Sequence, residues 1–537
     1  MIRIAFALTI VLTIPLTAAA QHDQHGAAGE MLGTAHFETS CSPATRADFD
    51  RAVALLHSFE YRSAMATFNK VLAADAGCAV AYWGIGLCHW GNPFAGIKAG
   101  PPLERGLEAV QKGLATGSPT PREQAYIAAV SELYKNAATV PHRDRTLAYA
   151  TAMDAVQRNN PKDVEARIFY ALAVSQTAPP TDKTYAQQLK AVAILEPLWQ
   201  QYPDHPGLPH YIIHAYDHPP LATRALVAAQ RYAKIAPSAT HALHMPSHTF
   251  TRVGYWKESA DSNTASEATA LKENLIGEAL HAMDYQTYAY LQMAQDQQAR
   301  AVVDRVPGIL AKLDVNAMGG AAPPVAGFYA RSAIAARYAL ERGAWEEAAV
   351  LAVRPSAFPY VDAITHFARA LGAARSGKAA NARPDVETLA MLRDRMAAAK
   401  DAYWTEQLSI QHQVATAWTT FADGKTDEGL RLMRAAADAE DATDKSAISP
   451  GPIAPARELL GEMLLEAGNG KDALVAFEAT MLKEPRRFRG ALGAARAAEA
   501  AADRDKAARY YGQLLDIAKD ADTQRPDIQR ARAYLKQ

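Results

Sequence analysis

Cysteine is scarce, with only Cys41, Cys78 and Cys88 in 537 residues. No framework of disulfides can therefore organise a chain of this length. An excess of charge of one sign is missing as well: 56 basic residues stand against 57 acidic ones. Without such a field, nucleic acid and anionic membrane surfaces are not expected as partners. Strand-like alternation is almost absent, which argues against a sheet protein. Nothing resembles a phosphate loop, a G-x-S-x-G elbow or an H-E-x-x-H helix. After the first twenty residues no apolar run approaches the length of a membrane span, so no stable membrane insertion is expected once those residues are removed.

What is present favours a helical chain: hydrophobic residues make up 49%, with 31 glycines and 30 prolines. The opening MIRIAFALTIVLTIPLTAAA has one early positive charge, an apolar run and then small residues. It reads as a signal peptide (residues 1–20) cleaved after Ala20, with no cysteine following that would carry a lipid anchor. The expected location is periplasmic or secreted. In such an oxidising compartment two of the three cysteines can pair. Cys41 and Cys78 precede helix-forming stretches whose starts lie side by side if neighbouring helices stack in register. A Cys41–Cys78 disulfide is therefore expected, with Cys88 a buried thiol.

The chain has a period. In KDALVAFEATMLKEP, Ala473, Phe477 and Pro485 take the small, aromatic and terminating positions of a helix-turn-helix repeat, and Leu460 and Gly461 take the matching places one helix earlier. AYWGIGLCHW repeats the first-helix pattern with Tyr82, Ile85 and Gly86. Weaker copies run through RSAMATFNKVLAADAGC, GAWEEAAVLAVRP and RDKAARYYGQLLDIA, separated by Pro- and Gly-rich joints such as GGAAPP and SPGPIAP. This pattern resembles the 34-residue tetratricopeptide repeat. The resemblance implies an all-α solenoid, a right-handed superhelix of antiparallel helix pairs whose first helices line a concave face. The segments FDRAVALLHSFEY, CAVAYWGIGLCHWGNPF, HYIIHAYD, HMPSHTF and SPGPIAPARELLG together look like a family of long, exported bacterial tetratricopeptide proteins. That resemblance implies a fold and a compartment, not a reaction. The expected organisation is an irregular N-terminal extension (21–44), N-terminal helical repeats (45–205), central histidine-rich repeats (206–315) and C-terminal repeats (316–537).

Eight of the sixteen histidines fall between residues 205 and 281. His210 and His214 are four apart on a first helix expected over 207–217, with its partner helix over 221–234. His244 and His248 repeat the spacing 34 residues later, one repeat period on. In the register of the repeat both pairs face the groove. Side chains at i and i+4 lie about 6 Å apart and packed helices about 8–10 Å apart, so the four imidazoles can converge on one ion or on two neighbouring ions. His241, His281 and Asp284 are candidates to complete or support the shell. Asp217, Tyr216, Tyr285 and Tyr288 are candidates to orient the ligands. Imidazole donors favour copper or zinc; iron would fit two histidines plus Asp284. Pro246, between His244 and His248, is expected to kink the helix and disturb their alignment.

Other candidates are weaker. His22 and His25 can hold copper or zinc loosely at a mature N-terminus. His57 and Glu60 have the spacing of an imidazole–carboxylate pair, while His89, like His57, reads first as a satisfied groove residue. Met245 and Met283 would favour copper if they faced the histidines. Arg457 and Glu458 follow a rigid turn and can cap it or pair across the groove. Two functions from different classes fit the whole. One is an exported protein binding a transition metal through its histidines, as a store or as a metal-dependent enzyme with an open coordination position. The other is a scaffold holding a peptide or protein in the groove, with the histidines as polar lining.

Overall fold

The computed structural model describes residues 29–95, 100–179, 181–315 and 320–536, and among them every regular element is helical. Consecutive helices pack as antiparallel pairs: Arg46–His57 with Tyr61–Ala74, Trp256–Lys272 with Ile276–Gln292, Ala402–Ala422 with Thr426–Asp441, and Gly470–Lys483 with Phe488–Ala500. The pairing is a tetratricopeptide-type solenoid. Its chemistry is plain around Phe477, whose ring lies against Gly461 on the preceding helix and Gly493 on the following one. A β-carbon at Gly461 would come within 2.8 Å of that ring. Small residues on first helices thus let the aromatic of the second helix fill the crossing.

In the central repeat the first helix is Gly207–Ala215, and the second begins as a 3-10 turn, Ala222–Ala225, before Leu226–Ile235. The signal-peptide reading and the first part of the N-terminal extension, with His22 and His25, lie outside the described residues. The described part of that extension, from residue 30 to 42, is irregular. Cys41 and Cys78 are joined in a disulfide, and Cys88 is a buried thiol whose pKa burial pushes up. Among the described residues no helix is long and apolar enough to cross a membrane.

Two large apolar cores run through the solenoid, one from Leu32 to Phe250 and the other from Trp256 to Ala531. The histidine-rich repeats lie where the first gives way to the second. There segments far apart in sequence meet. Arg337 donates to the carbonyls of Pro452 (2.7 Å) and Gly451 (2.8 Å). Lys183 pairs with Asp444 (2.7 Å), and Lys445 with Asp217 (2.9 Å). The segment from 444 to 452 therefore lies beside the central histidines, where the Ser449 carbonyl accepts from Tyr285 and Asp444 is 3.7 Å from His218.

Candidate metal centre

His210 and His214 stand on Gly207–Ala215, His241 and His244 on Thr240–His244, His248 on Pro246–Val253 and His281 on Ile276–Gln292. Pro246 divides what would be one helix, but without the expected misalignment. Met245 keeps α-helical angles (φ −55°, ψ −34°), and the proline opens the next helix, where a missing N–H is tolerated. His244 and His248 stay on one face, with their Nε2 atoms 3.1 Å apart.

The imidazoles form two clusters of three in place of one shell of four. The nearest ring nitrogens of His210, His214 and His241 all lie within 4.8 Å of one another, and so do those of His244, His248 and His281. The clusters adjoin: ring centroids are 5.9 Å apart between His241 and His244, and 6.1 Å between His214 and His248. His210, His241, His244, His248 and His281 are buried and His214 nearly so. Burial pushes His210 and His281 down to about 3 and lowers His214, His241, His244 and His248 as well. At neutral pH these rings are uncharged.

Three of their outer nitrogens are anchored. His210 Nδ1 donates to the His57 carbonyl (2.6 Å), His244 Nδ1 to Asn263 Oδ1 (2.6 Å) and His248 Nδ1 to Asp217 Oδ2 (2.8 Å). The Asn263 amide nitrogen donates to the Ser259 carbonyl (2.7 Å), which fixes its oxygen as the acceptor. With their protons on Nδ1, neutral His244 and His248 present two bare lone pairs to each other at 3.1 Å. That contact is repulsive unless a cation lies between them. Two nitrogens about 2.05 Å from one ion at a tetrahedral angle stand about 3.3 Å apart, close to the spacing seen. His241 adds a second anomaly: neither of its buried ring nitrogens has a hydrogen-bond partner among the described residues.

Around the clusters, Asp217 also receives Arg252 Nε (2.8 Å) and Lys445 Nζ (2.9 Å). Burial pushes Asp217 up, but Lys445 and Arg252 more than reverse this and hold its carboxyl well below the usual range. Tyr285 donates to the Ser449 carbonyl (3.2 Å), with its hydroxyl 3.4 Å from His248 Nε2. Phe94 stacks on His214 and Phe59 on His241, with centroids 4.4 and 5.6 Å apart.

Several expected participants sit elsewhere. Asp284, one turn from His281, turns to Arg337 in a fully buried ion pair (3.1 Å) and joins neither cluster. Tyr288 shares the helix face of His281 but lies two turns on, about 10 Å along the axis, where its hydroxyl accepts from Arg487 (2.5 Å). Tyr216, past the end of its helix, donates to Glu196 (2.7 Å). His57 pairs with Glu165 (2.7 Å) and not with Glu60, which accepts the His241 backbone N–H (3.0 Å). Met245 and Met283 pack in apolar clusters, His89 is half-buried, Arg457 pairs with Asp438 and Asp441, and Glu458 pairs with Arg487. Asn263, Lys445 and the His57 carbonyl were not among the sequence candidates, and their distance along the chain offered no signal. Arg252 had one: it follows His248 by four residues.

Fold and site together define a tetratricopeptide-type solenoid closed around paired three-histidine clusters. No family model matches the chain, and no curated protein does. Among solved structures, yeast Tom70 is similar at 12% identity over 91% of this chain and 95% of that one, with a TM-score of 0.35. A structure of Naa15/Naa10 bound to HypK-THB has 12% identity, 91% coverage of both chains and a TM-score of 0.23. The P58(IPK) TPR domain has 12% identity over 70% of this chain and 98% of that one, with a TM-score of 0.21. At these values the likenesses carry no functional argument, and the fold rests on the helix pairing itself.

Proposed function

We propose that the protein binds a pair of transition metal ions, one held by His210, His214 and His241 and the other by His244, His248 and His281. The reading is carried by His244 and His248, whose anchored Nδ1 protons leave two lone pairs facing each other at 3.1 Å. A buried, uncharged imidazole pair of that kind lacks the proton that would make it a hydrogen bond, and a metal ion supplies the missing cation. The unpartnered nitrogens of His241 support the same role in the first cluster. Imidazole donors suit copper and zinc. The opening twenty residues and the Cys41–Cys78 disulfide support an exported protein.

Metal analysis of the full chain, purified without an affinity tag and reconstituted with copper or zinc, tests the proposal. Two equivalents are expected, with a raised melting temperature because ligands that bind the folded state stabilise it. Binding of well under one equivalent of either metal, with no change in melting, would sink it. A second reading, a peptide-binding scaffold, is favoured by a separate cleft of about 680 Å³ in the C-terminal half, lined by Trp345, Arg375, Arg489, Arg496 and Arg530 among others. That cleft lies apart from the histidines, so the two functions do not compete for one surface.

A further inference from the structure

Resting on the metal pair proposed above, we infer that the ions are copper and that the ligand they share is dioxygen, bound between them and reduced by two electrons. Four observations lead there. First, the donors are six neutral imidazoles, and no carboxylate or thiolate belongs to either cluster. Three nitrogens leave each ion an open position. Second, the clusters are neighbours, with rings of one 5.9 and 6.1 Å from rings of the other. Each ion would sit about 2 Å from its nitrogens, and a ligand of one or two atoms bridging the two neighbouring ions is the arrangement inferred.

Third, the local charge restricts the metal. Asp217 contributes one negative charge at the outer edge of the second cluster, and Arg252 and Lys445 contribute two positive ones. The groups around the second cluster therefore offer no surplus anion to a buried divalent ion, and burying uncompensated charge is costly. A pair of cuprous ions brings half the charge of a divalent pair. Fourth, the step that cuprous ions can take with dioxygen keeps that charge unchanged. Two Cu(I) and one O₂ give two Cu(II) and one peroxide dianion: each copper loses one electron, the O–O π* orbitals gain two, and two Cu–O contacts form. The charge of metals plus ligand is +2 before and after, and no proton moves. A zinc pair would need two hydroxides to reach the same charge. Phe59 and Phe94 lie against His241 and His214, and the Ser449 carbonyl accepts from Tyr285 beside His248, so the rings are enclosed by protein and a ligand as small as dioxygen is the class that suits them.

The test is anaerobic reconstitution of the full chain with Cu(I), followed by exposure to dioxygen. Expected are two coppers per chain, uptake of one O₂ per copper pair, and an oxidised product without an electron paramagnetic resonance signal, because the two Cu(II) spins couple through the bridge. Two bound coppers with no uptake, or with the signal of isolated Cu(II), would overturn the dioxygen inference and leave the metal pair standing. Two zinc ions held in preference to copper would do the same. No bound metal would overturn both. H281Q and, in the other cluster, H241Q should each drop to one copper and abolish uptake, since one cuprous ion cannot supply two electrons. Undiminished uptake in either folded variant would refute the bridge.

Discussion

Among the described residues, histidines are buried in two places, and their surroundings differ. Around Glu165, His57 Nε2 donates to one carboxylate oxygen (2.7 Å) and His205 Nε2 to the other (2.9 Å), while His57 Nδ1 meets the Tyr211 hydroxyl (2.9 Å) and His205 Nδ1 accepts the Gly207 N–H (3.2 Å). Four ring nitrogens have four complementary partners. In the paired clusters the outer nitrogens of His210, His244 and His248 are partnered as well, yet the inner ones of His244 and His248 point at each other and His241 has no partner at either nitrogen. The first arrangement is complete as protein; the second is the one proposed to hold cations. Density of histidines therefore does not distinguish a structural network from a ligand set, whereas the placement of protons does.

Removing the acceptor from the complete cluster should have the largest effect. Burial pushes Glu165 up, but His57 and His205 more than reverse it, so its carboxyl lies well below the usual range and stays ionised. Glu165→Ala would strand two buried N–H donors and should cost about 3–5 kcal/mol in a denaturant titration. Its folded pKa is depressed, so in the parent protein this stability is present above the ordinary carboxylate range and is lost as pH falls below it. Metal content of the folded variant should stay at two ions. A loss of metal in step with stability would erase the distinction between the clusters.

Chelation should come next. Removing ions held at a hundred times their dissociation constant costs about 2.7 kcal/mol per site, read as a lower melting temperature. The double variant His210→Ala/His244→Ala should show no chelator response. A response that persists in the double variant would place the metal elsewhere.

Asn263→Ala sharpens the contrast further, because Asn263 acts only through His244 Nδ1. Loss of such an outer partner weakens metal binding by about 10–100-fold, and competition titration against a chromophoric chelator would measure it. The variant also frees the His244 ring to change tautomer. Unchanged affinity would mean that the proton on Nδ1 is not what turns the lone pair inward.

How much of this was legible in the sequence follows from what a repeat encodes. The 34-residue recurrence of H-x-x-x-H was visible because repeat register maps a position onto a helix face, and the structure places His210, His214, His244 and His248 on adjoining helices accordingly. His241 and His281 were visible only as supporting residues, since their part in a cluster depends on how Thr240–His244 and Ile276–Gln292 tilt against their neighbours. Asp284 and Tyr288 share the right region of a helix but were claimed by Arg337 and Arg487, which lie 53 and 199 residues away in sequence. The segment from 444 to 452 was invisible for a related reason: SPGPIAP reads as a joint between helix pairs, and only long-range contacts such as Lys445 with Asp217 and Ser449 with Tyr285 bring it beside the histidines.

Tyr285→Phe should give the smallest effect and mark the boundary of the second cluster. The hydroxyl is 3.4 Å from His248 Nε2, too long for a strong hydrogen bond, and it already donates to the Ser449 carbonyl at 3.2 Å. Its single proton cannot serve both acceptors, so His248 Nε2 remains available to an ion. Losing one ordinary hydrogen bond costs about 0.5–1.5 kcal/mol, and the phenyl ring would still pack against His244, His248 and His281. The expected result is a slightly lower melting temperature with two metal ions retained. If the variant instead falls to one ion, the tyrosine is a ligand in its own right, and the second cluster is not made of imidazoles alone.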